Sequence, residues 1–279
     1  MKTEDLKSWM GRTESRTDLA AEAPLTRLAA TLDHLDPPWR GGEVPPLGHW
    51  LYFLPHAVQR EIGPDGHASR GGFLPPIGLP RRMWAGSELE FRAPIAVGAT
   101  ISRKSTIANI EHKAGRTGEM VFVRVEHEVS VEGTVAIRDA HNIVYREAPR
   151  PGDAAPAGEM PQKTPEFERI LHPDPVLLFR YSAITFNGHR IHYDRSYCQD
   201  VEGYPGLIVH GPLTATLLMD LYLRQRPGAQ VRAFRFRARR PLFDIHTFKL
   251  CGVHRPGGAD LWALDHEGYL SMTAELETA

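Results

Sequence analysis

From Tyr204 to Leu223 the chain reads YPGLIVHGPLTATLLMDLYL, its longest apolar stretch, and a series of alternating segments follows it. His210, Pro212, two threonines and Asp220 interrupt the stretch, so it is a poor membrane span and reads instead as a core helix. Pro212 suits the first turn of that helix, where a missing N–H leaves no hydrogen bond unmade. After it, VRAFRFRARRPLF, HTFKLCGVHR, ADLWALDHEG and YLSMTAELE carry the β-branched and alternating residues of four strands. A long apolar helix followed by an antiparallel meander predicts a sheet wrapped around a buried helix.

The first half has a meander but no such helix. ELEFRAPI, ATISRKSTIANIEH, EMVFVRVEHEVSV and TVAIRDAHNIVY read as strands from Glu88 onward. Residues 3–35 read as helical, with Thr3 as N-cap and Leu25, Leu28, Leu32 and Leu35 on one face. Between Gly63 and Pro80, nine of eighteen residues are Gly or Pro, too many for a regular element. Glu147 to Gln162 is linker-like, and Val176 to Ile184 reads as a strand entering the polar turn FNGHRIHYD. The expected organisation is an N-terminal half over 1–150, a linker over 151–163 and a C-terminal half over 164–279.

The halves echo each other. Phe91-Arg92-Ala93 returns as Phe236-Arg237-Ala238 after 145 positions, and Gly48-His49 as Gly188-His189 after 140. Offsets near half the chain favour a duplicated fold. In that alignment Tyr52 stands opposite His192, and the Gly/Pro-rich loop stands where the second half has its long helix. One copy would keep the chemistry while the other, short of a helix, leaves space.

Charge and cysteine content narrow the function. Thirty-three basic against 34 acidic side chains give no basic excess for phosphate backbones, so no nucleic-acid partner is expected. Two cysteines, Cys198 and Cys251, exclude a disulfide framework and fit a reduced, cytoplasmic compartment. The opening MKTEDLKSWMGRTESR lacks the apolar run of a signal peptide, and no membrane partner is expected. No G-x-G-x-x-G, Walker A, G-x-S-x-G or C-x-x-C occurs, and His127-Glu128 does not complete a zincin pattern because Val131 holds the second histidine's place.

Tyr181 to Asp194, YSAITFNGHRIHYD, is the segment with chemistry left in it. Asn187, His189 and His192 sit in a turn, and His210-Gly211-Pro212 opens the helix beyond. Free N–H groups at that helix start, Gly211 first among them, can bind a developing negative charge. A histidine beside such a donor suits proton transfer next to a carbonyl. His189 and His192 form an H-x-x-H pair, but no carboxylate stands at a recognisable metal-ligand spacing, and no metal is expected. His210 reads as a buried structural histidine and Asp194 as a turn residue.

This segment resembles the active-site run of the MaoC-like hot-dog dehydratases, which include (R)-specific enoyl-CoA hydratases. Their motif has an Asp, an Asn two residues later and a His five after the Asp, and then a helix beginning His-Gly. His192 matches the catalytic histidine, Asn187 takes the Asp position, His189 the Asn position, and Gly211 the glycine whose amide binds the thioester oxygen. FNGHRIHYD together with RRMWAGSELEF, Arg81 to Phe91, is more similar to one branch. That branch holds the mesaconyl-C4-CoA hydratases, the itaconyl-CoA hydratases and the mitochondrial-type 3-hydroxyacyl-thioester dehydratases. The resemblance implies an α+β double hot-dog with two antiparallel sheets, the C-terminal one around a long central helix and the N-terminal one helix-depleted.

It also implies a hydro-lyase acting reversibly on an acyl-CoA, with no cofactor beyond the CoA of the substrate and with a homodimer as a possible assembly. His192 would be the general acid/base, with either protonation state accessible for an ordinary pKa of about 6.5. Asn187 departs from the motif: a neutral amide orients water and does not take its proton. A free substrate carboxylate would need a cation. Arg190 in the turn is the first candidate and Arg81 or Arg82 the second. Arg235 and Arg237, alternating with phenylalanines, are either a solvated sheet face or a basic lip for the CoA phosphates. Alternatives are a broader dehydratase of fatty (3R)-hydroxyacyl thioesters, a hot-dog thioesterase and a non-catalytic acyl-CoA-binding module.

Overall fold

The computed structural model describes residues 6–115, 118–148 and 157–279. Its two meanders form as the alternation predicts. In the first half β1 (Thr13–Leu19), β2 (Arg81–Phe91), β3 (Thr100–Gly115), β4 (Gly118–Val131) and β5 (Thr134–Arg146) lie in the order β1-β3-β4-β5-β2. In the second, β6 (Phe167–Leu171), β7 (Val231–Ala238), β8 (Phe248–Arg255), β9 (Gly258–Leu264) and β10 (Leu270–Thr278) run β7-β10-β9-β8-β6. The second order repeats the first strand for strand in reverse, so the faint sequence echo marks a real repeat of topology.

The two expected sheets are joined edge to edge. β2 pairs antiparallel with β7, from Gly86 opposite Arg237 to Glu90 opposite Ala233, and the result is one ten-stranded sheet. Gly86 permits the seam, because a Cβ there would lie 2.2 Å from the Phe236 carbonyl oxygen. Each half thereby covers an edge that would otherwise expose unpaired backbone groups.

Among the described residues three α-helices complete the layers: α1 (Glu22–Thr31), α2 (Pro175–Ile184) and α3 (Gly211–Gln225). Every residue of α3 from Leu213 to Leu223 is buried, as the apolar run demands. Its one buried acid, Asp220, is satisfied by Arg224, Arg169 and His34. The first half has no counterpart of α3: after a 3-10 turn at Gly48–Leu51, mostly irregular chain leads to β2.

Local readings fail in three places. Residues 13–19 were expected in a helix, but TESRTDL is an edge strand on β3, where its alternating side chains face in and out. Helix α1 is shorter than predicted; Leu25, Leu28 and Leu32 are buried as expected, while Leu35 is fully exposed beyond its end. Val176 to Ile184 is helix, not strand. Asp174 caps it by accepting the Leu177 N–H at 2.8 Å, and Pro175 occupies its first turn; that Asp-Pro start outweighs the β-like apolar run behind it. The strand expected from Glu88 begins earlier, at Arg81. Thr3 and the centre of the linker segment lie outside the described residues.

Candidate active site

The turn after α2 is tied to its own helix. The Asn187 N–H donates to Ser182 O at 2.8 Å, and Asn187 Oδ1 accepts the His189 N–H at 3.1 Å. The Asn187 carboxamide thus closes an Asx turn with its oxygen and keeps its amide hydrogens for another partner. A 3-10 turn, Arg190–His192, carries the chain to His192.

His192 is buried at 6% exposure, and its Nδ1 lies 2.7 Å from the Ile208 carbonyl oxygen. A carbonyl only accepts, so Nδ1 holds the proton and Nε2 presents a lone pair. The ring stacks on His210 at 3.6 Å between centroids. His210 is the N-cap of α3, is completely buried and hydrogen-bonds Ser182 Oγ through Nε2 at 2.8 Å. That is the structural role expected of it. Gly211, the next residue, opens α3, and its amide meets no backbone acceptor among the described residues. His192 is thus stacked on the residue that precedes Gly211, the first residue of α3.

Burial pulls the His192 imidazole down from the ordinary 6.5 to about 4, outweighing the hydrogen bond to Ile208 that favours the charged form. Near neutrality one protonation state dominates, not two as the sequence suggests, and that state is the neutral base. Burial, with His67 and His192 nearby, takes His189 down to about 2.

Around this core the structure adds groups that the motif does not contain. His67, from the Gly/Pro-rich loop, lies 4.1 Å from His189 between ring centroids, and His189 lies 5.4 Å from His192. Asp65 accepts both the His67 N–H at 3.0 Å and the Nδ1–H at 2.9 Å. Asp65, His67 and His189 each place a possible ligand atom within 4.8 Å of the others. Sequence reading found no carboxylate for His189 because Asp65 is remote along the chain. Pro64-Asp65-Gly66 is a legible turn signal, but nothing local says where that turn docks.

The arginines separate by what they touch. Arg190 is engaged: Nε and a terminal nitrogen bond Asp194, Nη1 donates to Pro64 O at 3.0 Å, and the guanidinium lies over the Tyr197 ring. Its charge holds the turn together, and Asp194 is the turn residue anticipated. Arg81 reaches across to Glu202 and the Tyr204 ring. Arg82 hydrogen-bonds Tyr145 and acts electrostatically on both His67 and His189. Arg235 and Arg237 stand exposed on the face of β7 opposite buried Phe234 and Phe236, Arg235 facing Glu277 at 3.6 Å. Strand pleating alone keeps them off the helix-bearing face.

In the N-terminal half the equivalent positions are structural. Tyr52 is buried and donates to Ala21 O at 2.7 Å. His49, the echo of His189, bonds the fully buried Asp139, which also accepts from Trp50 and His141. The ring of Trp84 in β2 lies tilted 4.1 Å from His141 and edge-on 5.0 Å from Trp50, and its carbonyl oxygen would lie 3.9 Å from a Cβ on Gly211. The first half therefore forms the wall facing the start of α3.

Fold and site together define a double hot-dog thioester hydro-lyase. Residues 47–244 match the family of the hydroxyacyl-thioester dehydratases type 2, and the chain belongs to that family. It is 44% identical over 280 residues, 99% of each chain, to mesaconyl-C(4)-CoA hydratase of Chloroflexus aurantiacus. Among solved structures, a MaoC-like dehydratase from Phytophthora capsici superposes with a TM-score of 0.73 at 16% identity, covering 100% of this chain and 98% of that one. A Mycobacterium tuberculosis protein with a double hot-dog fold gives 0.57 at 12% identity over 96% of both chains. Among the described residues no helix is long and apolar enough to cross a membrane.

Proposed function

We propose that the protein adds water reversibly to a short enoyl-CoA that carries a free carboxylate on the carbon receiving the hydroxyl, with mesaconyl-C4-CoA as the representative substrate. The observation that carries this reading is the neutral, lone-pair-bearing His192 stacked against the N-cap of the helix that Gly211 opens. The thioester oxygen accepts the Gly211 N–H, so that charge developing on it is stabilised as an enolate; one such donor is worth about 10²–10³ in rate. Water oxygen bonds to Cβ as one of its protons passes to His192 Nε2, and His192 returns that proton to Cα. A single imidazole so handles the only proton that moves, and Asn187 orients the water. Dehydration runs the same steps backward.

A carboxylate on Cβ lies within one bond of the attacked carbon, so its receptor belongs beside His189 and His192. Arg82 acts on His189 and His67, and unlike Arg190 it has no carboxylate partner among the described residues. We assign it the substrate carboxylate, for which a guanidinium is a bidentate match. The identity to a mesaconyl-C(4)-CoA hydratase supports the same substrate class.

The test follows enoyl-thioester absorbance across mesaconyl-C4-CoA, itaconyl-CoA, crotonyl-CoA and a longer enoyl-CoA. Mesaconyl-C4-CoA should turn over fastest, and His192→Ala should abolish turnover in a folded protein. Preference for the longest chain, free thiol release or an active His192→Ala variant would overturn the proposal.

A further inference from the structure

The motif places a carboxylate at the position that Asn187 occupies, and Asn187 has none. Its oxygen is already bound to the His189 amide. A carboxylate does reach this turn, but from the other half of the chain. Asp65 grips His67 at two points and fixes its tautomer: Nδ1 donates to Asp65 Oδ2, which leaves the Nε2 lone pair outward. The His67 ring in turn lies against His189.

The register between loop and turn is set by backbone. Asp65 O accepts the Arg190 N–H at 2.9 Å, and Pro64 O accepts from the Arg190 side chain. Gly66, at φ +90°, lets the strands of chain meet: a Cβ there would lie 1.8 Å from Gly188 O. Three backbone and side-chain features thus converge on one outcome, the placement of His67 beside His189. The charged and titratable groups around His67 are Asp65 and Arg70 from its own loop, Arg82 from β2, and His189 and His192 from the turn.

On the reading of His192 as the base, we infer that Asp65 and His67 are positioning residues for hydration. Through His67, Asp65 holds the His189 ring in the orientation that, together with the Asn187 amide, seats the water deprotonated by His192. The loop of the helix-depleted half thereby supplies the bracing carboxylate that the turn lacks. Misplacing a reacting group by about 1 Å costs on the order of a hundredfold, which sets the size of the effect.

The experiment compares kcat and KM of the full chain with Asp65→Asn, His67→Ala and the double variant, on the best substrate of the unaltered protein. Each single change should lower kcat by roughly ten- to a hundredfold with KM moved by less than about threefold. The double variant should fall no further than the worse single, as expected of residues acting as one unit. Added imidazole should restore part of the His67→Ala rate and none of the Asp65→Asn rate, a response that a merely structural histidine would not give. Asp65→Asn is isosteric and keeps the answer readable if His67→Ala does not fold. Unchanged kcat in both variants, or losses that multiply in the double, would overturn the inference. So would loss of wild-type turnover on chelation with recovery on adding zinc, which would make Asp65, His67 and His189 a metal site. An unaltered protein inactive on every enoyl-CoA would instead remove the hydratase reading and this inference with it.

Discussion

Lowering the pH from about 8 to about 5 should destabilise the folded chain through His192, by an amount that can be worked out. In the unfolded chain its imidazole titrates near the ordinary 6.5, whereas burial holds it at about 4 in the folded state. The folded state therefore binds fewer protons, and stability is present above the unfolded value and lost as pH falls through the window from 6.5 toward 4. At about pH 5 nearly all unfolded molecules are protonated at this site against roughly a tenth of folded ones, which costs about 2 kcal/mol. His189, at about 2, and the buried His127 and His210 shift in the same direction, so the whole protein should lose more than that. The isolating comparison is thermal unfolding of wild type and His192→Gln across the range. For a chain of this size 1 kcal/mol moves Tm by roughly 2–3 °C, so Tm of the wild type should fall about 4–6 °C further than that of the variant. The wild-type hydration rate should also hold steady to about pH 5, since only the neutral imidazole is the base. Parallel Tm curves, or a rate that halves near pH 6.5, would refute the reasoning.

Two further outcomes concern the site's edges. Arg82→Met should lower kcat/KM for mesaconyl-C4-CoA by about ten- to a hundredfold, the worth of a charge-assisted hydrogen bond, and leave crotonyl-CoA turnover within about twofold; equal losses on both substrates would show that Arg82 does not read the carboxylate. Gly66→Ala puts a Cβ into the Gly188 carbonyl at a backbone angle suited to glycine, so it should cost about 1–3 kcal/mol in unfolding and lower kcat by displacing His67. A variant with wild-type Tm and kcat would show that the loop has another way to dock.

Much of the chemistry was legible because it is local. Asn187, His189, His192 and Gly211 lie within one short stretch, and the turn and helix start expected there stack His192 on His210, the residue before Gly211. The role of His210 could be read the same way. Arg190 could not: whether a guanidinium in a turn meets substrate or holds the turn depends on what docks against it, here Pro64 and Tyr197. The proposal for Arg82 likewise rests on the charge that it brings near His67 and His189, which no local pattern records.

By itself the amino-acid sequence determined the two meanders and the buried helix α3, since each is written in periodicities that span a few elements at most, and it marked the duplication through short echoes about half a chain apart. Tertiary structure alone decided that residues 13–19 pair as a strand and that β2 meets β7 to make one sheet. It also decided that Asp65 and His67 cross from one half to brace His189 in the other. The physical reason is range. Strand pairing and loop docking are settled by burial and hydrogen bonding between segments more than eighty residues apart, and no local pattern records which distant partner a loop will find.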